Sequence, residues 1–251
     1  MPKNQIKGDI AQIIAKFITE PYYIELDNDM LVLWAYPYTP YNNLTIDAYY
    51  VASHDCFRQA TELIGELTSC AYRAEHTRDI SLQRYALNCG LAEFRGANGL
   101  VYNSKYGSRY CIGSIRILCY KHTGTIPARL SVVPCDNCTA PCMDACPTGA
   151  LTRDGQDYSK CLRQIMNTPN KLTEGNIRGL GGRVLGCDIC QRACPVNSDK
   201  YIDMPNELYD TISDLTDDNN IRKLAQFVGS NMSKPRIISA ITILNNANNL
   251  M

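Results

Sequence analysis

The sequence predicts an α/β (α+β) fold with a metal-binding module set into it. Helical and strand-like hydrophobic patterns alternate from Ile6 to Tyr120. Eight of the 13 cysteines then crowd between Cys135 and Cys194, and helical patterning returns beyond Tyr201.

Ile6, Ile10, Ile13, Ile14 and Phe17 share one helical stripe, which predicts an opening helix stopped by Pro21. Tyr22–Leu26 and Met30–Tyr36 are aromatic and branched, and read as strands, the second buried. A loop runs from Pro37 to Asn43. Ser53 or Asp55 is expected to cap a helix whose inner face is Phe57, Ala60, Leu63, Ile64 and Leu67. A further helix covers Ile80–Leu91 and stops near Gly90, Gly96–Gly99 is a turn, and a strand follows from Arg109 to Tyr120. In the tail, Asp210–Asn220 is an acidic surface turn or capping region, while Ile221–Phe227 and Ile237–Leu250 read as helices. The last is apolar on too many sides to stay free, so it should dock on the body.

Lys plus Arg number 25, as do Asp plus Glu, leaving no net charge and no overall field for gripping nucleic acid or an anionic membrane. Hydrophobic content of 45% and charged content of 20% suit a folded globular chain and exclude disorder. No apolar run reaches the roughly 18 residues that would span a bilayer. The N-terminus carries no secretory h-region or twin arginine, so the expected location is the reducing cytoplasm, where crowded cysteines signal metal rather than disulfides.

Two runs carry the chemistry: Cys135-x2-Cys138-x3-Cys142-x3-Cys146-Pro147 and Cys187-x2-Cys190-x3-Cys194-Pro195, with Cys161 alone between them. In ferredoxin-like runs the closing Cys-Pro thiolate serves the other cluster. That rule assigns Cys135, Cys138, Cys142 and Cys194 to one [4Fe–4S] cluster, and Cys146, Cys161, Cys187 and Cys190 to a second. Structural zinc is the competing reading, but zinc needs only four thiolates and gives Cys146 and Cys161 no task. Pro141 looks like an insertion in the second gap of the usual spacing. Cys56, Cys70, Cys89, Cys111 and Cys119 are expected to pack in the core.

Beyond the clusters the chain resembles a family. Gly90-Leu91, Gly96-Ala97-Asn98-Gly99-Leu100-Val101, Lys105-Tyr106-Gly107-Ser108-Arg109 and Gly113 resemble the GLGWIGKNGLL…YGS…LG signature of epoxyqueuosine reductases. The run from Cys142 to Leu151, the lone Lys160-Cys161 and the run from Gly186 to Pro195 resemble the same family. Similar cluster-bearing cores occur in reductive dehalogenases. The resemblance implies a nitroreductase-like, cobalamin-binding domain over residues 1–130, a ferredoxin-like two-cluster module over 131–200, and a helical tail over 201–251. It further implies that electrons pass from the clusters to cobalamin, supplied by a low-potential donor such as ferredoxin or flavodoxin.

Aligned on Tyr85 and Gly90-Leu91, the family's catalytic Asp falls at His76, preceded by Glu75. His76 is therefore the expected proton donor or axial ligand, with Glu75 as the spare acid. His54 is expected to border the corrin, and Asn98, Gly107 and Ser108 to form a cofactor-facing loop. Zero net charge, a tail ending at Met251 and the replaced Asp lead to the expectation of a small-molecule substrate, with nucleic acid unlikely. The competing function is an electron-transfer or corrinoid-activating protein that reduces a cofactor held by a partner.

Overall fold

The computed structural model describes residues 3–39, 47–78, 80–120, 134–166, 168, 171–180, 183, 185–198, 219, 222 and 238–243. Its centre is a four-stranded antiparallel sheet. β1 (Tyr22–Leu26) and β2 (Asp29–Pro37) form a hairpin, β6 (Tyr110–Ile117) pairs with the other edge of β2, and β3 (Ala74–His76) pairs with β6. The register sets Trp34 opposite Gly113 and His76 opposite Ile115.

The Met30–Trp34 run is continuously apolar because both faces of β2 are covered. Met30, Val32 and Trp34 pack with Ile10 and Ile14 of α1 (Lys3–Phe17) and with Leu63 and Leu67 of α2 (Ala48–Ser69). On the opposite face Leu31 and Leu33 pack with Ala86 and Cys89 of α3 (Leu82–Cys89). The α3 helix ends at Gly90, in left-handed conformation at φ 81°. The hairpin of β4 (Phe94–Arg95) and β5 (Val101–Tyr102) then closes over Gly96–Gly99.

Two expectations about α2 are corrected. Ser53 and Asp55 lie inside the helix, whose cap is Asp47, with its carboxylate accepting from the Tyr49 N–H at 3.0 Å. Phe57 is 59% exposed rather than on the inner face, because it lies over His76 at the sheet's edge. Among the five remaining cysteines, Cys56, Cys89 and Cys111 are buried, but Cys70 and Cys119 are exposed. Strand β6 ends at Ile117, so Cys119 sits in the following turn instead of in an apolar strand.

The cysteine-rich segment is built of short pieces. A 3-10 turn (Pro134–Asn137) leads to α4 (Pro141–Asp144), the hairpin of β7 (Leu151–Thr152) and β8 (Gly155–Gln156), and α5 (Leu162–Ile165). Next come α6 (Glu174–Gly179), α7 (Ile189–Ala193) and a 3-10 turn over Pro195–Asn197. Pro141 occupies the first turn of α4, with Ala140 left-handed at φ 60° before it. The extra residue of the spacing is thereby absorbed in one sharp bend and a helix start. Most of the expected tail, including residues 210–218 and 223–237, lies outside the described residues. Residues 238–243 are helical, and Ala240 and Ile241 are buried. No helix among the described residues is long and apolar enough to cross a membrane.

Gly113 is required where it stands, since a Cβ there would collide with the Trp34 indole that faces it across the ladder. The indole is held by its N–H donating to Gln59 Oε1 at 2.8 Å and cannot easily withdraw. Gly113→Ala should destabilise the chain by about 1–3 kcal/mol through this overpacking. A lowered thermal midpoint for Gly113→Ala, partly restored by adding Trp34→Leu, checks the assignment.

Candidate functional site

Two cavities open between the β4–β5 hairpin and the cysteine-rich segment. One, of about 490 Å³, is lined by Cys135, Cys138, Cys142 and Cys194 together with Ala97, Asn98 and Tyr102. The other, of about 340 Å³, is lined by Cys146, Cys161, Cys187 and Cys190 together with Asn98, Tyr158 and Gln191. Asn98, 3% exposed, is in the wall of both. Short helices present the thiols: Cys142 lies in α4, Cys161 caps α5, Cys190 lies in α7, and Cys194 ends it. Among the described residues no three His, Cys, Asp or Glu side chains converge on the position of a single ion.

The thiols of each set feel one another. Burial, then Cys194 and Cys135, pushes the Cys142 thiol above its ordinary range. Burial and then Cys187 and Cys161 raise Cys190 to about 12. Burial also raises Cys187 to about 12. Four sulfurs crowded into a shielded space ionise together only when cations compensate them, so the donor set fits a polynuclear iron–sulfur group. Cys146 behaves differently. Burial works against its thiolate, yet the Thr148 hydroxyl and the N–H groups of Thr148, Ala150 and Leu151 bring it below the ordinary value.

A buried polar clamp fastens this segment to the sheet. Gln191 Nε2 donates to the Ser108 carbonyl at 2.9 Å and exchanges hydrogen bonds with the Tyr38 hydroxyl. Asn197, fully buried, accepts from the Ser108 N–H at 2.9 Å and donates to Ser108 Oγ at 3.0 Å and to the Gln191 carbonyl at 2.8 Å. Gly107 is left-handed at φ 60°, and a Cβ there would strike the Asn197 side chain. Gly107 and Ser108 thus touch the turn that follows Cys194. Beside the clamp, the Arg163 guanidinium lies 4.0 Å from the Tyr49 ring centroid, a cation–π contact between α5 and α2.

His76 lines a separate cavity of about 200 Å³ with Tyr49, Ser53, Cys56, Thr77 and Cys111. Its ring stacks on Phe57 at 4.2 Å, and its Nε2 is 3.1 Å from Thr61 Oγ1. The Thr61 hydroxyl already donates to the Phe57 carbonyl at 2.9 Å, so the His76 Nε2 carries the proton of that contact. Burial, then Arg78, lowers the His76 pKa from its ordinary 6.5. Glu75 alternates to the other face of β3, opposite Arg116, and is exposed. His54 is not among the residues lining the cavity. It lies on α2 with Nδ1 3.8 Å from the Asp55 carboxylate. The Thr77 hydroxyl is buried in this cavity without a hydrogen-bond partner among the described residues, an acceptor and donor available to a ligand. The cavity adjoins the second cysteine set through Tyr49, which carries Arg163, and through Leu82, whose neighbour Gln83 lines the other cavity.

Tyr102, Arg163, Gln191 and Asn197 were missed in the sequence. Gln191 and Asn197 had a signal, standing within and just after the Cys187–Pro195 run. Tyr102 and Arg163 had none, because their role depends on segments distant in the chain.

Residues 134–197 match the 4Fe-4S double cluster binding domain family. Fold and site therefore define an iron–sulfur protein of the two-cluster type. The epoxyqueuosine reductase of Bacillus subtilis (strain 168) is 27% identical over 165 residues, 62% of this chain and 40% of that protein. That of Staphylococcus aureus (strain NCTC 8325 / PS 47) is 33% identical over 108 residues, 41% of this chain and 26% of that protein. A crystal structure of selenomethionine-labelled epoxyqueuosine reductase superposes with a TM-score of 0.66 at 19% identity, covering 96% of this chain and 82% of that one. A crystal structure of epoxyqueuosine reductase with an epoxyqueuosine-modified tRNA-Tyr stem loop gives 0.63 at 18% identity, covering 96% and 81%. The chain is thus similar to epoxyqueuosine reductases in its cluster segment and in its fold, and its sequence matches span less than half the length of these curated relatives.

These relatives correct one expectation. A small-molecule substrate with nucleic acid unlikely does not agree with a family named for a tRNA nucleoside and seen with a tRNA stem loop. Zero net charge misled because it sums the whole chain, whereas phosphate is gripped by local patches.

The clamp generates a prediction. Asn197→Ala strands the Ser108 N–H and the Gln191 carbonyl in a dry interface, at a cost of about 1–3 kcal/mol for each group left unpaired. The anaerobic holoprotein should unfold at lower temperature and lose iron faster to a chelator. Unchanged unfolding and iron release would show that the clamp holds nothing.

Proposed function

We propose that the chain is an iron–sulfur reductase whose two [4Fe–4S] clusters feed a cobalamin held beside His76, and that its substrate is epoxyqueuosine in tRNA. The observation that carries this reading is the pair of cavities, each lined by four cysteines, with Asn98 between them. In it Cys135, Cys138, Cys142 and Cys194 ligate one cluster, and Cys146, Cys161, Cys187 and Cys190 the other. Residues 1–130 form a nitroreductase-like cofactor-binding unit, 131–200 the cluster module and 201–251 a tail packed on the body. The tRNA substrate comes from the names of the relatives and is tested as such.

Cobalamin, when bound, supplies a cobalt centre that low-potential electrons reduce and that in turn reduces the substrate. The chain's own residues hold and protonate. Tyr49, Ser53 and the Thr77 hydroxyl offer polar contacts at the cofactor edge, and Arg163 ties that edge to the cluster carrying Cys161. His76, fixed by Thr61 and Phe57, delivers the proton through its Nδ1 once that nitrogen is protonated. Because its pKa lies below 6.5, the acid form fades as pH rises, so turnover should fall toward neutral pH.

Two experiments test the reading. The anaerobic holoprotein should contain about eight iron atoms, and Cys194→Ala should lose about four while the second cluster keeps its spectrum. Retention of all iron, or loss of the second cluster instead, overturns the ligand assignment. With a chemical reductant and a stem loop carrying epoxyqueuosine, the cobalamin-loaded protein should form queuosine, read by mass spectrometry of the nucleosides. His76→Ala should retain iron and corrin but slow conversion by about a hundredfold or more. Absence of conversion by the unaltered protein sinks the substrate, and normal conversion by His76→Ala sinks the proton donor.

A further inference from the structure

Tyr102 stands in the wall of the cavity that holds Cys135, Cys138, Cys142 and Cys194. Its ring stacks on Phe94 at 4.9 Å and is 2% exposed, so water does not reach it freely. Its hydroxyl lies 3.5 Å from Cys194 Sγ. The direction of that hydrogen bond follows from the neighbours. Asn98 Oδ1 accepts from the Leu100 N–H at 3.3 Å, which turns the amide so that Nδ2 faces Tyr102 at 2.7 Å. An amide nitrogen only donates, so the Tyr102 oxygen accepts there and its single proton is left for the sulfur.

We propose that Tyr102 is a positioning residue that raises the reduction potential of the cluster ligated through Cys194, with Asn98 aiming its proton at the sulfur. The inference rests on the ligand assignment given above. Reduction adds one electron to the cluster and spreads negative charge onto its thiolates. A donor already pointed at one of them stabilises the reduced state more than the oxidised one. No proton moves, and the electron comes from the external reductant. In the other set the Thr148 hydroxyl lies 3.6 Å from Cys146 Sγ, so that cluster has a hydrogen-bonding side chain of its own.

The test is a redox titration of the anaerobic holoprotein with dithionite, followed by electron paramagnetic resonance of each reduced cluster. Iron content of the unaltered protein is read first, since about four iron atoms or a zinc content would overturn the ligand assignment rather than the role of Tyr102. Tyr102→Phe keeps the ring and removes only the hydroxyl. At a fixed potential the reduced-to-oxidised ratio of one cluster should fall about tenfold, about 59 mV for a one-electron couple. The second cluster should not move. Asn98→Ala keeps the phenol but frees its rotor, and should give a smaller shift of the same sign. Unshifted potentials in Tyr102→Phe with both clusters retained overturn the proposal, as does an equal shift of both. If Tyr102→Phe loses the cluster, Asn98→Ala decides, and no shift there overturns it.

Discussion

The arrangement depends on a small dry knot of amide and hydroxyl groups. Gln191 and Asn197 reach from the end of the cysteine-rich segment into the turn at Gly107-Ser108 and to Tyr38 at the end of β2. Every one of these groups is buried, so each would lose several hydrogen bonds if the segment lifted away. A sheet and a segment of four- to six-residue helices have little apolar surface to share. A polar knot with fixed geometry sets their relative position more sharply than a greasy contact would.

That position governs the electrostatics. The hairpin carrying Asn98 and Tyr102 is pressed between the two cysteine-lined cavities because the knot sits directly beyond it at Ser108. Buried thiols raise one another, and the structure answers unequally: Cys146 is surrounded by hydrogen-bond donors, whereas Cys187 and Cys190 are pushed up to about 12 by burial. Under the proposed ligation two clusters of the same composition sit in different fields. The Arg163–Tyr49 contact then carries the second cysteine set to the edge of the cavity that holds His76.

His76 shows how a strand end turns a sequence position into a chemical one. Alternation along β3 sends Glu75 outward toward Arg116 and His76 inward onto Phe57. The two acids of the sequence reading are thus separated by the pleat. The exposed Phe57, expected in the core, is the platform that His76 stacks on.

Much was legible along the chain because it follows from local pattern. The apolar run of β2, the stop of α3 at Gly90, the turn at Gly96–Gly99 and the two cysteine runs are each written in residues near one another, and the resemblance to epoxyqueuosine reductases was readable from such runs. Asp47 as cap of α2 was not, since Ser53 and Asp55 have equally good local chemistry and only the packing of Ala48 and Ala52 in the core beside the sheet extends the helix back to Ala48. Tyr102 against Cys194 and Ser108 against Asn197 join residues about ninety positions apart. The sequence by itself determined which side chains could bind metal and which segments would be helix or strand. The tertiary structure alone decided which thiols share a cavity, which donors face them and which acid faces inward, because those depend on directions in space that spacing along the chain does not encode.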